Sequence, residues 1–113
     1  MNFSLWWPLG EAPAHADDNP GVLQTRGDQV RPYPRGKSAM VMYTATRDDE
    51  TLRDFVVGTG AAELARAAAA GACWVRFGPT RAPARELARL LADFEERFGA
   101  RPGDAARPRE GAR

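Results

Sequence analysis

Residues 20–46 read Pro-Gly-Val-Leu-Gln-Thr-Arg-Gly-Asp-Gln-Val-Arg-Pro-Tyr-Pro-Arg-Gly-Lys-Ser-Ala-Met-Val-Met-Tyr-Thr-Ala-Thr. Two apolar, β-branched runs flank a loop rich in Gly, Pro and charge, which is the pattern of a β-hairpin. Val22–Arg26 is the first strand, Gly27-Asp28 interrupts it, and Gln29–Arg31 can resume it briefly. Pro32 and Pro34 donate no hydrogen bond and stop regular pairing. Pro32-Tyr33-Pro34 is therefore expected to be extended, close to polyproline II. Ala39–Thr46 is the next strand. Alternation puts Met40, Met42 and Thr44 on one face and Val41, Tyr43 and Ala45 on the other. With few charges between them, this strand is expected to be central in the sheet and buried on both faces.

Downstream, the period changes from two to about 3.6. Asp48–Val57 reads as a short helix, with Asp48, Asp49 and Glu50 at its positive end and Leu52, Phe55 and Val56 on one face. Gly58-Thr59-Gly60 breaks it. Ala61–Ala70 is a second helix with Gly71 as its C-cap, and Leu64 is its only large apolar residue. Ala72–Phe77 is a strand, with Cys73, Val75 and Phe77 on one face and Trp74 and Arg76 on the other. Cys73 reads as a small core residue. Pro83–Phe98 is the clearest helix: Leu87, Leu90, Leu91, Phe94 and Phe98 form a stripe. Pro83 suits its first turn, and Gly99 ends it.

Upstream, Phe3, Leu5, Trp6 and Trp7 crowd into five positions. Either they lie across the domain and close one end of its core, or Trp6 and Trp7 dock a partner or a second copy. Residues 10–19 have loop composition. His15, Asp17 and Asp18 resemble a metal cluster, but no second His or Cys group supports them.

The chain is thus expected to be one α+β domain over residues 20–99. It carries a small three-stranded, mainly antiparallel sheet with flanking helices, in the order β-β-α-α-β-α. Residues 1–19 form an N-terminal aromatic segment and loop. Residues 100–113 contain no large apolar side chain and read as a disordered tail.

The totals set further bounds. The chain has 113 residues, a formal net charge of +1 and one cysteine. A balanced charge gives no overall drive towards nucleic acid, so only a local patch can supply one. One cysteine excludes an internal disulfide. No apolar run approaches the ~18 residues of a membrane span. A cytoplasmic location and no membrane partner are the expectation.

Three residue sets carry candidate chemistry. Arg26, Arg31, Arg35 and Lys37 bracket Tyr33, so the hairpin tip can grip a phosphate backbone and stack a base. Alternatively it is a solvated loop. Gly36-Lys37-Ser38 is not a phosphate loop, because the glycine needed five residues earlier is Arg31. Cys73 has no nearby histidine in sequence to activate it.

The element order resembles that of the GIY-YIG nuclease superfamily. Gly21-Val22-Leu23 stands for that family's first half-motif, Tyr43-Thr44-Ala45 for the second, and Leu52-Arg53 for its leucine-plus-arginine helix. The resemblance runs from about Pro20 to Pro102. It implies that Tyr43 helps activate water, that Arg53 steadies the phosphate, and that Asp93 or Glu86 holds one divalent ion. The pattern is eroded: Leu23 replaces the first tyrosine, Asp93 is one methylene short, and Ala105 replaces an asparagine.

The functional expectation is a catalytically degenerate domain of this type that acts as a binding or interaction module, with its basic loop as the contact surface and nucleic acid as the candidate ligand. It needs no cofactor. The alternatives are a weak nuclease using Tyr43, Arg53, Asp93 and Glu86 with Mg²⁺ or Mn²⁺, and a protein-docking module using Trp6 and Trp7.

Overall fold

The computed structural model describes residues 1–103. In chain order the elements are β1 (Trp7–Pro8), a 3-10 turn (Leu9–Glu11), α1 (Ala12–His15), β2 (Gly21–Pro32) and β3 (Lys37–Ala45). They continue with α2 (Leu52–Val57), α3 (Ala61–Ala69), β4 (Trp74–Pro79) and α4 (Pro83–Phe98). The fold is α+β, as the change of period implies. Residues 104–113, including Ala105 and most of the expected tail, lie outside the described residues.

The sheet has the order β1-β4-β2-β3, and every neighbouring pair is antiparallel; β3 is therefore an edge strand with only Val41 buried, not the central strand buried on both faces that its apolar run implied. The expected three strands are present, and the N-terminal aromatic segment adds a fourth. Trp7 pairs with Val75 and Pro8 with Trp74. The Ser4 and Leu9 amides donate to the carbonyls of Phe77 and Cys73, at 2.8 and 2.9 Å. The segment therefore pairs along the β4 edge, satisfying backbone groups that would otherwise face solvent.

The hairpin is one long strand pair with an interruption. Arg26 pairs with Met40 and Arg31 with Ser38, so residues 27–30 of β2 have no register partners on β3. The expected break at Gly27-Asp28 is thus a bulge inside β2. A second irregularity skips Val41, since Thr25 pairs with Met42 and Arg26 with Met40. An extra residue disturbs the alternation of faces. Val41 accordingly clusters with Ala67, Ala72 and Met42 instead of sharing a face with Tyr43.

The two faces carry different layers. On one, Leu23, Val75 and Phe77 pack with Leu52, Phe55 and Val56 of α2 and with Ala12 and Ala16 around α1. On the other, Phe94 of α4 meets Tyr33 and Tyr43 edge-on, with ring centroids 5.3 and 5.6 Å apart. Leu23 and Gln24 alternate on the central strand, so the first faces α2 and the second faces the α4 side.

Gly21 marks a close approach between strands. A Cβ there would lie 2.5 Å from the Gly78 carbonyl and 2.9 Å from Leu52 Cδ1, so only glycine fits.

Several boundaries differ from the sequence reading. α2 starts at Leu52, and Asp48-Asp49 is a turn ahead of it. The cap is Thr51, whose hydroxyl accepts from the Asp54 amide at 3.0 Å. Glu50 is buried instead of lying in a first turn, and it accepts from Thr59 Oγ1 at 2.7 Å. Residues 12–15 are helical, where loop composition led us to expect none. α4 has its expected bounds, and Gly99 caps it at φ +84°, a conformation that favours glycine. Thr51→Ala is expected to cost about 0.5–2 kcal/mol, because it removes one of the few partners for the orphan amides of α2. Urea unfolding checks this, and the midpoint should fall with an unchanged slope.

Candidate nucleic-acid interface

On the face of the sheet towards α4, that helix packs on β3 and β2. Beside it the face carries part-buried arginines and aromatic rings in adjoining rows. Gln24 pairs with Tyr43 on one side and Arg76 on the other. Trp6 precedes Trp7, the partner of Val75, so the same row continues to Trp6 across from Arg76. One line thus crosses the sheet: Tyr43, Gln24, Arg76, Trp6. In the next row Met40 pairs with Arg26 and Arg26 with Trp74.

Arg76 is the centre of this face. Its guanidinium carbon lies 4.5 Å from the ring centroids of both Phe3 and Trp6. Its Nε donates to Gln24 Oε1 at 2.7 Å, which fixes the plane of the fork. Arg26 lies 4.9 Å from the Trp6 centroid. Among the described residues, neither arginine has a carboxylate within ion-pair distance. Arg26 Nε is buried with no hydrogen-bond partner there, a cost of about 1–3 kcal/mol that packing alone does not require. Two half-buried positive charges are thus held on aromatic rings with no counter-charge among the described residues, an arrangement whose chemistry suits an anion.

Burial lowers the Arg76 pKa, while the neighbouring Tyr43 hydroxyl opposes that shift and Arg26 adds to it. Tyr43 is pushed up to about 12, chiefly by burial, with Arg76 pulling it down and Tyr33 adding to the rise. A tyrosine whose folded pKa exceeds its unfolded value of 10.0 keeps full stability below pH 10. That contribution is lost as pH rises from 10 towards 12. Ultraviolet titration of tyrosinate is therefore expected to show Tyr43 ionising late, with loss of stability over the same range. Tyr43→Phe should remove the late step.

The sequence-derived sites are only partly assembled. Tyr43 and Asp93 come together with Leu90, Phe94, Arg97 and Phe98 around a pocket of about 170 Å³. Asp93 is also paired with Arg89, which pairs with Glu86 as well. Arg53 is elsewhere: α2 packs on the opposite face of the sheet, and its guanidinium pairs with Asp18. Among the described residues, no three His, Cys, Asp or Glu side chains gather where they could hold a metal ion. His15 stacks flat on Trp7, with centroids 3.6 Å apart, and pairs with Glu11.

The hairpin tip is not the expected basic grip. Tyr33 is buried; its hydroxyl donates to the Met40 carbonyl at 3.2 Å and accepts from the Gly103 amide at 2.7 Å. Its ring packs against both Phe94 and Phe98, and at 7% exposure it offers no free face for a base. Arg31 donates to the Ala70 carbonyl at the end of α3. Arg35 donates to the Glu95 and Glu96 carbonyls near the end of α4. Both arginines thus complement helix C-termini. Of the five loop candidates, Arg26 joins the sheet face and Lys37 stays exposed.

Trp7 packs against the core and Trp6 sits on the arginine face, so the pair does not form one docking hook. Cys73 is exposed rather than buried; its thiol faces Asp28 Oδ2 at 3.6 Å. Trp74 Nε1 donates to the other oxygen of Asp28 at 2.8 Å. Sequence reasoning missed Phe3, Gln24, Trp74 and Arg76 as a group. Alternation did place Trp74 and Arg76 on one face of their strand. Only strand pairing reveals that the N-terminal rings cover that same face.

No protein-family model matches the chain, and no curated protein or solved structure is recognisably similar to it. Among the described residues, no helix is long and apolar enough to cross a membrane.

Proposed function

We propose that this domain is a non-catalytic module that binds single-stranded nucleic acid on the open half of its sheet. The observation that carries the reading is the pair Arg26 and Arg76, held on Trp6 and Phe3 with no carboxylate partner among the described residues. Guanidinium groups meet phosphates through a planar fork, and their flat faces stack on bases as well as on rings. Trp6, Phe3 and Trp74 supply π-surfaces that tolerate any base. A single strand can lay its bases against aromatic side chains, whereas a duplex hides their faces. The reading keeps the binding role expected from the GIY-YIG-like element order and moves it from the hairpin tip to the sheet.

Fluorescence anisotropy with labelled single-stranded RNA and DNA tests it. Binding should weaken as salt rises, with a modest slope set by the few phosphates two arginines can neutralise. Duplex of the same sequence should bind more weakly. No binding at low salt, or equal binding of duplex and single strand, would count against the proposal.

A cleavage reading has one observation in its favour, the shared pocket of Tyr43 and Asp93. It requires Arg53 to act on the same phosphate, and Arg53 lies across the sheet. Incubation of single-stranded, duplex and branched DNA with Mg²⁺ or Mn²⁺ separates the two readings. The binding reading expects intact substrate. Cleavage lost in both Tyr43→Phe and Asp93→Ala would replace it with a nuclease.

A further inference from the structure

Arg26 and Arg76 share one ring. Their guanidinium carbons lie 4.9 and 4.5 Å from the centroid of Trp6, and Phe3 flanks Arg76 at 4.5 Å. The two residues stand diagonally on neighbouring strands, since Arg26 pairs with Trp74 and Arg76 with Gln24. Like charges drawn to one indole repel each other: burial lowers the Arg76 pKa, and Arg26 lowers it further. Among the described residues no carboxylate pairs with either arginine. An anion set between them would turn repulsion into attraction.

The floor of the face adds a third donor. Gln24 lies between Arg76 and Tyr43 in the register and is only 2% exposed. Its Oε1 accepts from Arg76 Nε, so its acceptor end is engaged and its amide nitrogen is a donor. Among the described residues that nitrogen donates to nothing, and Arg26 Nε is the one fully enclosed side-chain nitrogen or oxygen without a partner. The Gln24 nitrogen therefore keeps contact with solvent although its side chain is fixed in the sheet. Two guanidinium forks and one buried amide thus present donors and positive charge at one place.

We infer that this face takes a phosphate monoester, the terminal phosphate of a single strand, between Arg26, Arg76 and Gln24. The strand rests on the nucleic-acid reading; the phosphate chemistry stands without it. A phosphodiester inside a strand carries one negative charge and two free oxygens. A terminal monoester carries about −1.5 to −2 and three acceptor oxygens, which matches two unopposed forks and an amide. A base edge brings no charge to offset the pair.

Fluorescence anisotropy tests this with one strand, labelled internally, that carries a 5′-phosphate, a 3′-phosphate or hydroxyls at both ends. One phosphorylated form is expected to bind at least about tenfold more tightly than the hydroxyl-ended form, and the comparison identifies the end. A nucleoside monophosphate should compete, and the nucleoside should not. Arg26→Gln keeps a donor but removes one charge, and Gln24→Leu removes the amide. Both should shrink the tenfold ratio, with circular dichroism reporting the fold of each variant. Equal binding of all three forms overturns the monoester site and leaves the strand reading in place. Binding of the monophosphate without binding of any strand supports the monoester site and overturns the strand reading. Binding of neither overturns both. A full preference that survives in folded Arg26→Gln and Gln24→Leu places the phosphate elsewhere and also overturns the inference.

Discussion

Phe77→Ala is expected to cost about 3–5 kcal/mol, the largest stability loss of any single change discussed for this chain. Phe77 is only 2% exposed and lies opposite Leu23 in the register of the two inner strands. It joins Val75 and the apolar face of α2 in the main core cluster. A domain of this size has roughly 5–15 kcal/mol of stability in all, so removing the ring takes a large part of it. Neighbours cannot collapse into the space, because the strand backbone is fixed by pairing on both sides. Chemical denaturation followed by circular dichroism checks the value. A loss under about 1 kcal/mol, the range of an exposed change, would mean that the α2 side of the sheet is not the core.

Joint replacement of Arg26 and Arg76 by alanine is expected to weaken single-strand binding about a hundredfold. Two charge-assisted contacts, with the stacking that each guanidinium supports, account for about 3 kcal/mol at 1.4 kcal/mol per tenfold. The salt slope should fall by about one for each phosphate contact removed. Arg76→Lys separates charge from shape. It keeps the positive charge but loses the planar fork held between Phe3, Trp6 and Gln24. It is expected to retain the salt dependence and lose part of the affinity. Arg31→Ala and Arg35→Ala serve as the contrast, because those side chains are engaged with helix ends. Their effect should appear in stability rather than in binding.

The legible parts of this fold are those where one physical signal acts alone. α4 could be read with its bounds, because a strict apolar stripe, a proline at the first turn and a terminal glycine all agree. The hairpin was legible as a hairpin, yet Gly27-Asp28 looked like its end. A glycine and an aspartate break local propensity equally well in a turn and in a bulge, and only pairing partners distinguish the two. Cys73 was misplaced for a related reason. Its alternation with Val75 and Phe77 suggested the core, but it lies just outside β4, where strand alternation no longer applies. The site was the least legible. Basic and aromatic residues clustered in sequence at 31–37, and the fold spends Arg31, Tyr33 and Arg35 on internal contacts. The grouping that remains joins Phe3, Trp6, Gln24, Arg26, Trp74 and Arg76, which are far apart in sequence. Nothing local links them; the antiparallel register does.

On the proposed reading the open sheet face, and not the hairpin tip, meets the ligand. Heteronuclear NMR of the labelled protein during titration with a short single-stranded oligonucleotide resolves this residue by residue. The Nε–H signals of Arg26 and Arg76 and the indole N–H signals of Trp6 and Trp74 are expected to shift together, saturably, with little change in residues 31–37. Shifts confined to residues 31–37, or to the Tyr43 and Asp93 pocket with the Arg76 and Trp6 signals unmoved, would contradict it.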